Sequence, residues 1–162
     1  LLIDADGIKL FAEIKRPLKV PLVLTPHTGE FEALTGLKLP SLNELDQRIK
    51  IITQAAKELE ATILLKGPID IISDGQKVKL NFTGNAGMSV GGTGDVLSGI
   101  VGAFLSQKAD AFESAVAGAF VNGGVGDFAF SKVGNHIVAS DLIEYIPLVL
   151  NDPMNHLKVK NQ

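Results

Sequence analysis

Short apolar segments alternate along the chain with segments of helical spacing, and this alternation limits the architectures that the chain can adopt. Consecutive parallel strands need a crossover, usually a helix, so strands separated by helices form a sheet with helices on both faces. The sequence therefore predicts an α/β fold with a layered, mostly parallel sheet. The predicted strands are residues 1–4, 22–24 and 61–65, and the predicted helices are residues 7–13, 28–34 and a third that ends near residue 59.

Turn and capping patterns define the remaining elements. Asp74-Gly75 separates two β-forming segments, which is a strong hairpin signal and adds an antiparallel element. Ser41 and Glu44 have the spacing of a capping box ahead of the third helix. The later helices are predicted at residues 96–105, at residues 109–130, and from Ser140-Asp141 to a stop near Pro147.

The composition excludes several classes of protein. Of the 162 residues, 46% are hydrophobic and the mean hydropathy is +0.26, the opposite of the balance in disordered chains. The net charge is −3 without a basic stripe, so we expect no nucleic-acid partner. Apolar runs fall short of the roughly 20 residues that cross a bilayer, so we expect no membrane partner. The absence of cysteine excludes disulfides and fits a cytoplasmic location.

The first residues predict that the chain is the C-terminal part of a larger domain. Three aliphatic residues precede Asp4, which is the pattern of a buried parallel strand that ends at a functional edge. We therefore expect a neighbouring strand from outside the chain, and an open strand edge that favours a homo-oligomer. Residues 1–150 are interpreted as one domain and residues 151–162 as a polar, frayed tail.

The stretch GNAGMSVGGTGDVLSGIVGAF, residues 84–104, holds seven glycines and leads into an apolar helix. A helix N-terminus carries unpaired amides and about half a positive charge. Glycines in front of it let successive N–H groups turn inward around an anion such as phosphate. Asp95 would then act as a base that takes a proton from an attacking hydroxyl. A structural interpretation stays open, in which Asp95 is a first-turn helix acid and the glycines permit close helix packing.

Three segments carry a resemblance to a known family. GGTGD before an apolar helix resembles the anion-hole motif of the ribokinase-like superfamily. TPHTGE at residues 25–30, NFTGNAGMSVGGTGDVLSGIVGAFLSQ at 81–107 and IVASDLIEYIP at 137–147 together resemble its ADP- or ATP-dependent NAD(P)H-hydrate dehydratases. The resemblance implies a ribokinase-like fold and an enzyme that restores NAD(P)H from its hydrate, (S)-NAD(P)HX. ADP or ATP is consumed to AMP or ADP and phosphate, with Mg²⁺ as the companion of the nucleotide.

The resemblance also implies roles for individual residues. Asp95 matches the motif aspartate, the catalytic base that contacts the hydrated substrate, and His27 of TPHTGE matches a substrate-binding position. No residue is assigned to a metal. The positions that match the nucleotide-binding ones are Lys66, Gly67, Pro68, Ile69 and Asp70 after a strand, and Gly92, Thr93 and Gly94 ahead of the helix.

Simpler roles stay open for several of these residues. His27 is alternatively a loop residue, Lys66 a solvated lysine, and Glu30 a first-turn helix acid. Asp4 and Asp6 either support magnesium or only end a strand. These alternatives differ in whether the side chains meet at one site.

The function has alternatives as well. A small-molecule kinase of the same superfamily, such as a vitamin or sugar kinase, would use the same phosphate site, and a fragment could bind nucleotide without catalysis. Family members commonly carry a histidine around residues 121–124, where this chain has Asn122. His136 and His156 lie outside every motif and are interpreted as surface residues.

Overall fold

A five-stranded mixed sheet forms the centre of the molecule, in a computed structural model that describes residues 1–14 and 17–160. Its strands lie side by side in chain order: β1 (Leu2–Ile3), β2 (Val23–Leu24), β3 (Thr62–Leu65), β4 (Asp70–Ser73) and β5 (Val78–Asn81). β1, β2 and β3 pair in parallel, whereas β4 is antiparallel to both β3 and β5. Four of the five strands therefore run in one direction, which agrees with the predicted α/β class and the predicted hairpin.

Helices cover both faces of the sheet because the strands are apolar on both sides. In β3, Ile63 and Leu65 pack against one helical layer while Leu64 packs against the other. The first layer holds α1 (Asp6–Ile14), α2 (Thr28–Thr35) and α3 (Leu45–Leu59), and the second holds α4 (Thr93–Ser106) and α5 (Ala111–Val133). None of the described helices is long and apolar enough to cross a membrane.

Two further helices pack against α5 on the side away from the sheet. α6 (Ala139–Asn151) buries Leu142 and Val149 in an apolar cluster with α5, and α7 (His156–Lys160) follows it. The predicted stop near Pro147 is wrong. Pro147 lies on the exposed face of α6, where water can satisfy the carbonyl that its missing N–H leaves free, and the buried Val149 anchors the helix beyond it.

Two other expectations about local structure are wrong. Ser41 makes no capping bond to a helix amide, because a 3₁₀ turn over Leu42–Glu44 separates it from α3. His156 is buried rather than at the surface, with only 1% of its area exposed. Its ring packs edge-on against Phe120 at 5.2 Å between centroids, and its Nδ1 lies 2.8 Å from the Pro153 carbonyl oxygen. His136 is exposed, as expected.

The small residues of α5 allow α4 to approach it closely. A Cβ added at Gly118 would overlap the Val101 side chain and would lie only 3.2 Å from Val101 Cα, so a larger residue at this position would separate the two helices. Gly102 of α4 is different, because a Cβ added there would meet no atom within 4 Å.

We expect Gly118→Ala to lower the free energy of unfolding by about 1–3 kcal/mol, because the added methyl overpacks the α4–α5 contact. Gly102→Ala is the matched control and should raise it by roughly 0.5–1 kcal/mol through backbone entropy alone. Urea unfolding of both variants measures the two effects. Equal effects of the two substitutions would contradict this account of the packing.

Candidate functional site

A cleft of about 710 Å³ opens beyond the carboxyl ends of β2 and β3. This is the edge where ligands bind in open α/β sheets, and the volume suits a small-molecule ligand. His27 follows β2 and Lys66 follows β3, and both line the cleft. The other walls come from residues 67, 68 and 70, from most of the segment 83–94, and from Asn122 and Gly123 of α5.

The segment ahead of α4 presents the start of that helix to the cleft. Thr93 Oγ1 donates to the carbonyl oxygen of Met88 at 2.9 Å or of Val90 at 3.0 Å, which folds the segment back on itself. Gly92 is the N-cap with a φ of +92°, and a Cβ there would lie 2.8 Å from Ala139 Cβ, so glycine is required. No described side chain caps α4, so its first amides are available to an anion.

Lys66 brings a positive charge to the same place. Its Nζ lies 2.9 Å from Asp4 Oδ1 and 3.8 Å from a carboxylate oxygen of Glu30. A Cβ built on Gly94 would lie 3.5 Å from this Nζ, so the ammonium stands next to the first turn of α4. The ammonium, the free amides and the helix dipole therefore converge, and together they favour a phosphate group.

Asp4 joins three elements at this point. Its Oδ1 accepts a hydrogen bond from Lys66, and its Oδ2 accepts one from Ser98 Oγ on α4 at 2.8 Å. Burial by itself would raise the pKa of Asp4. The hydrogen bonds from Lys66 and Ser98, together with the charge of Lys66, outweigh burial and hold this pKa below its ordinary value.

His27 and Glu30 form a capping box at the start of α2, whereas the capping box expected at Ser41 does not form. His27 is the N-cap of α2, and its Nδ1 accepts from the Glu30 N–H at 3.2 Å. Glu30 Oε2 in turn accepts from the His27 N–H at 2.8 Å. Since Nδ1 is an acceptor, the neutral ring carries its proton on Nε2, 3.5 Å from Glu30 Oε1.

Asp70 orders the loop that follows Lys66. Its Oδ1 accepts from the Gly67 N–H and its Oδ2 from Asn81 Nδ2, both at 3.0 Å. Asn81 Nδ2 also donates to the Ala119 carbonyl, which ties the loop to α5. Burial raises the pKa of Asp70 above its ordinary value, although the hydrogen bonds from Asn81 and Gly67 offset part of this effect.

The structure brings most of the residues assigned to the site into the cleft. Ile69 and Asp95 do not line it. Asp95 lies at the third position of α4, with an exposed side chain that has no hydrogen-bond partner in residues 1–14 and 17–160. Its neighbour Gly94 does line the cleft. The residues assigned from the sequence that line the cleft are His27, Lys66, Gly67, Pro68, Asp70, Gly92, Thr93 and Gly94.

The structure gives no support to a magnesium site made of Asp4 and Asp6. Asp6 is exposed and pairs with Lys9 at 2.7 Å, whereas Asp4 pairs with Lys66. No group of three or more His, Asp or Glu side chains in the described parts of the chain is arranged to hold a metal. Mg²⁺ usually binds through one or two carboxylates with phosphate oxygens and waters, so the ion would enter with a nucleotide.

Sequence reasoning missed three residues that shape the site. Ser98 could have been found, because it follows Gly94 by four residues and so lies on the same face of α4. Asp127 is buried and accepts from the Gly84 N–H at 3.2 Å and from Asn85 Nδ2 at 3.1 Å, which attaches the segment after β5 to α5. Gly123 lies under Thr83, where an added Cβ would overlap the threonine. Only the tertiary contacts reveal the last two.

Comparison with known proteins gives consistent matches. A protein-family model described as NAD(P)H-hydrate dehydratase matches residues 1–148. The chain is 48% identical over 150 residues to the bifunctional NAD(P)H-hydrate repair enzyme Nnr of Pyrobaculum aerophilum, covering 93% of this chain and 29% of that protein. It is 44% identical over 136 residues to the ADP-dependent (S)-NAD(P)H-hydrate dehydratase of Cenarchaeum symbiosum, covering 84% of this chain and 46% of that protein.

A solved structure shares the fold. The ADP/ATP-dependent NAD(P)H-hydrate dehydratase from Bacillus subtilis, co-crystallised with ATP/Mg²⁺, superposes with a TM-score of 0.78 at 29% sequence identity. The match covers 93% of this chain and 53% of that chain. The chain therefore spans about half of this relative and of the Cenarchaeum symbiosum protein, and less than a third of the bifunctional one.

The two aspartates of the site should show opposite effects of pH on stability. The pKa of Asp4 is lowered on folding, so its stabilising contribution is complete above the ordinary value of 3.8 and is lost as pH falls through the folded value. The pKa of Asp70 is raised, so stability is lost as pH rises through the folded value. We expect the stability of the native chain relative to Asp4→Asn to rise with pH in the acid range, and relative to Asp70→Asn to fall from about pH 4 upward. Denaturant unfolding across pH measures both, and slopes of the same sign would contradict the assignment.

Gly94 should matter for anion binding and Gly92 for folding. Gly94 does not have a positive φ, and an added methyl there makes only ordinary contacts, 3.5 Å from Lys66 Nζ and 3.9 Å from Asp4 Oδ2, so Gly94→Ala should fold normally. The methyl takes space at the start of α4, and we expect ADP affinity to fall at least tenfold. Gly92→Ala should instead lower the free energy of unfolding by about 1–2 kcal/mol, because its φ is left-handed. Calorimetric binding and thermal unfolding separate the two, and a stable Gly94→Ala variant with native affinity would contradict the phosphate assignment.

Proposed function

Because the chain belongs to the NAD(P)H-hydrate dehydratase family, we propose that it carries the nucleotide-binding and phosphoryl-transfer centre of an enzyme that converts (S)-NAD(P)HX to NAD(P)H. ADP, or alternatively ATP, is the phosphoryl donor. The observation that carries the proposal is the position of the Lys66 ammonium, held by Asp4 next to the uncapped first turn of α4. Such a centre binds the phosphate that is transferred.

The reaction needs phosphate because hydroxide is a poor leaving group. The hydroxyl of the hydrated nicotinamide ring attacks the terminal phosphorus of the nucleotide and loses its proton to a base, and the shortened nucleotide leaves. The ring nitrogen then expels phosphate from the phosphorylated carbon with its lone pair. Loss of a proton from the adjacent ring carbon restores the double bond, so the products are NAD(P)H, phosphate and AMP from ADP.

The residues of the chain divide this work by position. The amides at the start of α4 and the Lys66 ammonium stabilise the negative charge of the phosphoryl group during transfer. Asp95 is the base in this proposal, since its carboxylate is exposed, one residue beyond Gly94, and free of partners in the described chain. His27 lines the same cleft, with its Nε2 3.5 Å from Glu30 Oε1, and would bind the substrate. Bound Mg²⁺ would neutralise charge on the nucleotide phosphates.

The oligomeric state, the location and the division of the chain are also part of the proposal. We propose a homo-oligomer and a cytoplasmic location, with residues 1–150 as the catalytic domain and residues 151–162 as its tail. Light scattering after gel filtration tests the oligomer directly. The alternative of a vitamin or sugar kinase predicts a stable phosphorylated alcohol as product, whereas a dehydratase yields NADH and free phosphate.

Asp95→Asn should lower kcat by a factor of about 10²–10⁴, the usual contribution of a general base, because the amide cannot accept the hydroxyl proton. ADP affinity should be unchanged or higher, since a negative charge near the phosphate is removed. The assay follows the recovery of NADH from its hydrate with ADP, in a protein that contains these residues together with the rest of its natural sequence.

Asp46→Asn provides the matched control, because Asp46 is also an exposed acid in the first turn of a helix, α3, away from the cleft. We expect it to leave kcat unchanged. Near-native turnover by Asp95→Asn would show that another group is the base, and equal losses in both variants would indicate a general effect of charge.

A further inference from the structure

Asn122 has a side-chain amide that the described part of the protein does not satisfy. The residue lies on α5, is 9% exposed, and contributes that exposed part to the wall of the cleft. Its Oδ1 is sealed from solvent without a hydrogen-bond partner, and its Nδ2 donates to no group in residues 1–14 and 17–160. Buried polar groups nearly always have a partner, so an unsatisfied amide at the edge of a cleft indicates that a ligand supplies one.

Two polar side chains near this part of α5, Thr83 against Gly123 and Asp127 further along the helix, already have partners. Thr83 Oγ1 lies 2.9 Å from Asn81 Oδ1 and 3.2 Å from the Phe120 carbonyl oxygen. Asp127, further along α5, accepts from Gly84 and Asn85. A rearrangement that brought either side chain to the Asn122 amide would therefore exchange an existing hydrogen bond for a new one.

The surroundings of Asn122 suit a planar ring better than a phosphate. The lysine and the free helix amides lie at the start of α4, whereas Asn122 is uncharged. The cleft is also lined by Pro68, Met88 and Gly84. Met88 Sδ lies 3.0 Å from the Cβ position of Gly84, and that position lies 3.4 Å from the Cα of Gly123, next to Asn122. The Met88 thioether therefore provides a polarisable, apolar wall for an aromatic ring in the cleft.

We propose that Asn122 binds the base of the nucleotide and makes the site selective for adenine. A carboxamide places an acceptor beside a donor, and the N7 edge of adenine offers the complementary pair, its 6-amino donor beside the N7 acceptor. No described residue fixes which end of the amide faces the cleft, so the side chain can turn Oδ1 toward the 6-amino group. The proposal rests on the proposed nucleotide site and assigns its base specificity.

Replacing the amide tests this role. Calorimetry with the same protein as the turnover assay compares ADP with inosine diphosphate, which presents two acceptors, O6 and N7, at that edge and so pairs with only one end of the amide in either orientation. We expect the native chain to bind ADP at least tenfold more tightly than inosine diphosphate. Leucine has a similar shape to asparagine but no side-chain donor or acceptor. Asn122→Leu should therefore lose this preference through weaker ADP binding, while pyrophosphate binds as before. Ser89→Ala, at another residue that lines the cleft, is the control and should keep the preference.

A spectroscopic measurement avoids dependence on the fold of a variant. The side-chain NH₂ resonances of Asn122 are the pair that disappears in Asn122→Asp or in Asn122→Leu. ADP should shift these resonances in the native chain, and pyrophosphate should not. If both variants unfold, assignment through the backbone of Gly123 identifies the same pair.

Each outcome decides one point. Native ADP affinity and base preference in Asn122→Leu would overturn the proposal while leaving the proposed function intact. If 2′-deoxy-ADP and inosine diphosphate both bind more weakly than ADP by the same factor, and the Asn122 amide shifts depend on the 2′-hydroxyl, Asn122 contacts the sugar. That result would also overturn the proposal. Failure of the native chain to bind ADP at all would overturn the proposed function itself.

Discussion

The close approach of α5 to its neighbours is the constraint on which the rest of the structure depends. Gly118 lets α4 pack against α5, and Gly123 lets the segment after β5 pass directly over it. Gly126 lies beneath Met88 of the same segment and Gly124 beneath His156 of α7, so α5 contacts α4, the segment after β5 and α7 through positions that have no side chain. Because protein interiors are close-packed, a methyl added at Gly118 or Gly123, where it would press on backbone atoms, would push the neighbouring segment away. The walls of the cleft are therefore held at a spacing that α5 sets.

The charged groups around Lys66 then determine which kind of ligand this cleft can bind. Lys66 is half-buried next to the N-terminus of α4, where its charge is repelled by the positive end of the helix dipole. Asp4 offsets that cost by accepting hydrogen bonds from both Lys66 and Ser98. Glu30 adds a second carboxylate at 3.8 Å. The arrangement holds a cation in place beside amides that no described side chain caps, and this combination favours binding of a phosphate.

Much of the fold followed from local patterns, and the failures have physical causes. Strand and helix positions were predictable because apolar periodicity reports which faces are buried, and the Asp74-Gly75 turn because few dipeptides tolerate its backbone angles. The capping box at Ser41 was wrong because the pattern also occurs where a 3₁₀ turn intervenes. His156 was misplaced because a helix of five residues is too short to show a periodicity that could reveal burial against Phe120.

The sequence by itself determined the α/β class, the glycine-rich approach to α4 and the residue types that a phosphate site requires, since these depend on local backbone freedom and on hydrophobic periodicity. Tertiary structure alone decided which side chains meet: that Asp4 pairs with Lys66 across 62 positions while Asp6 turns to Lys9, and that Asn122 reaches the cleft unsatisfied. The reason is that hydrogen bonds and ion pairs depend on distances between elements, and packing of the sheet and helices sets those distances. No local pattern along the chain records them.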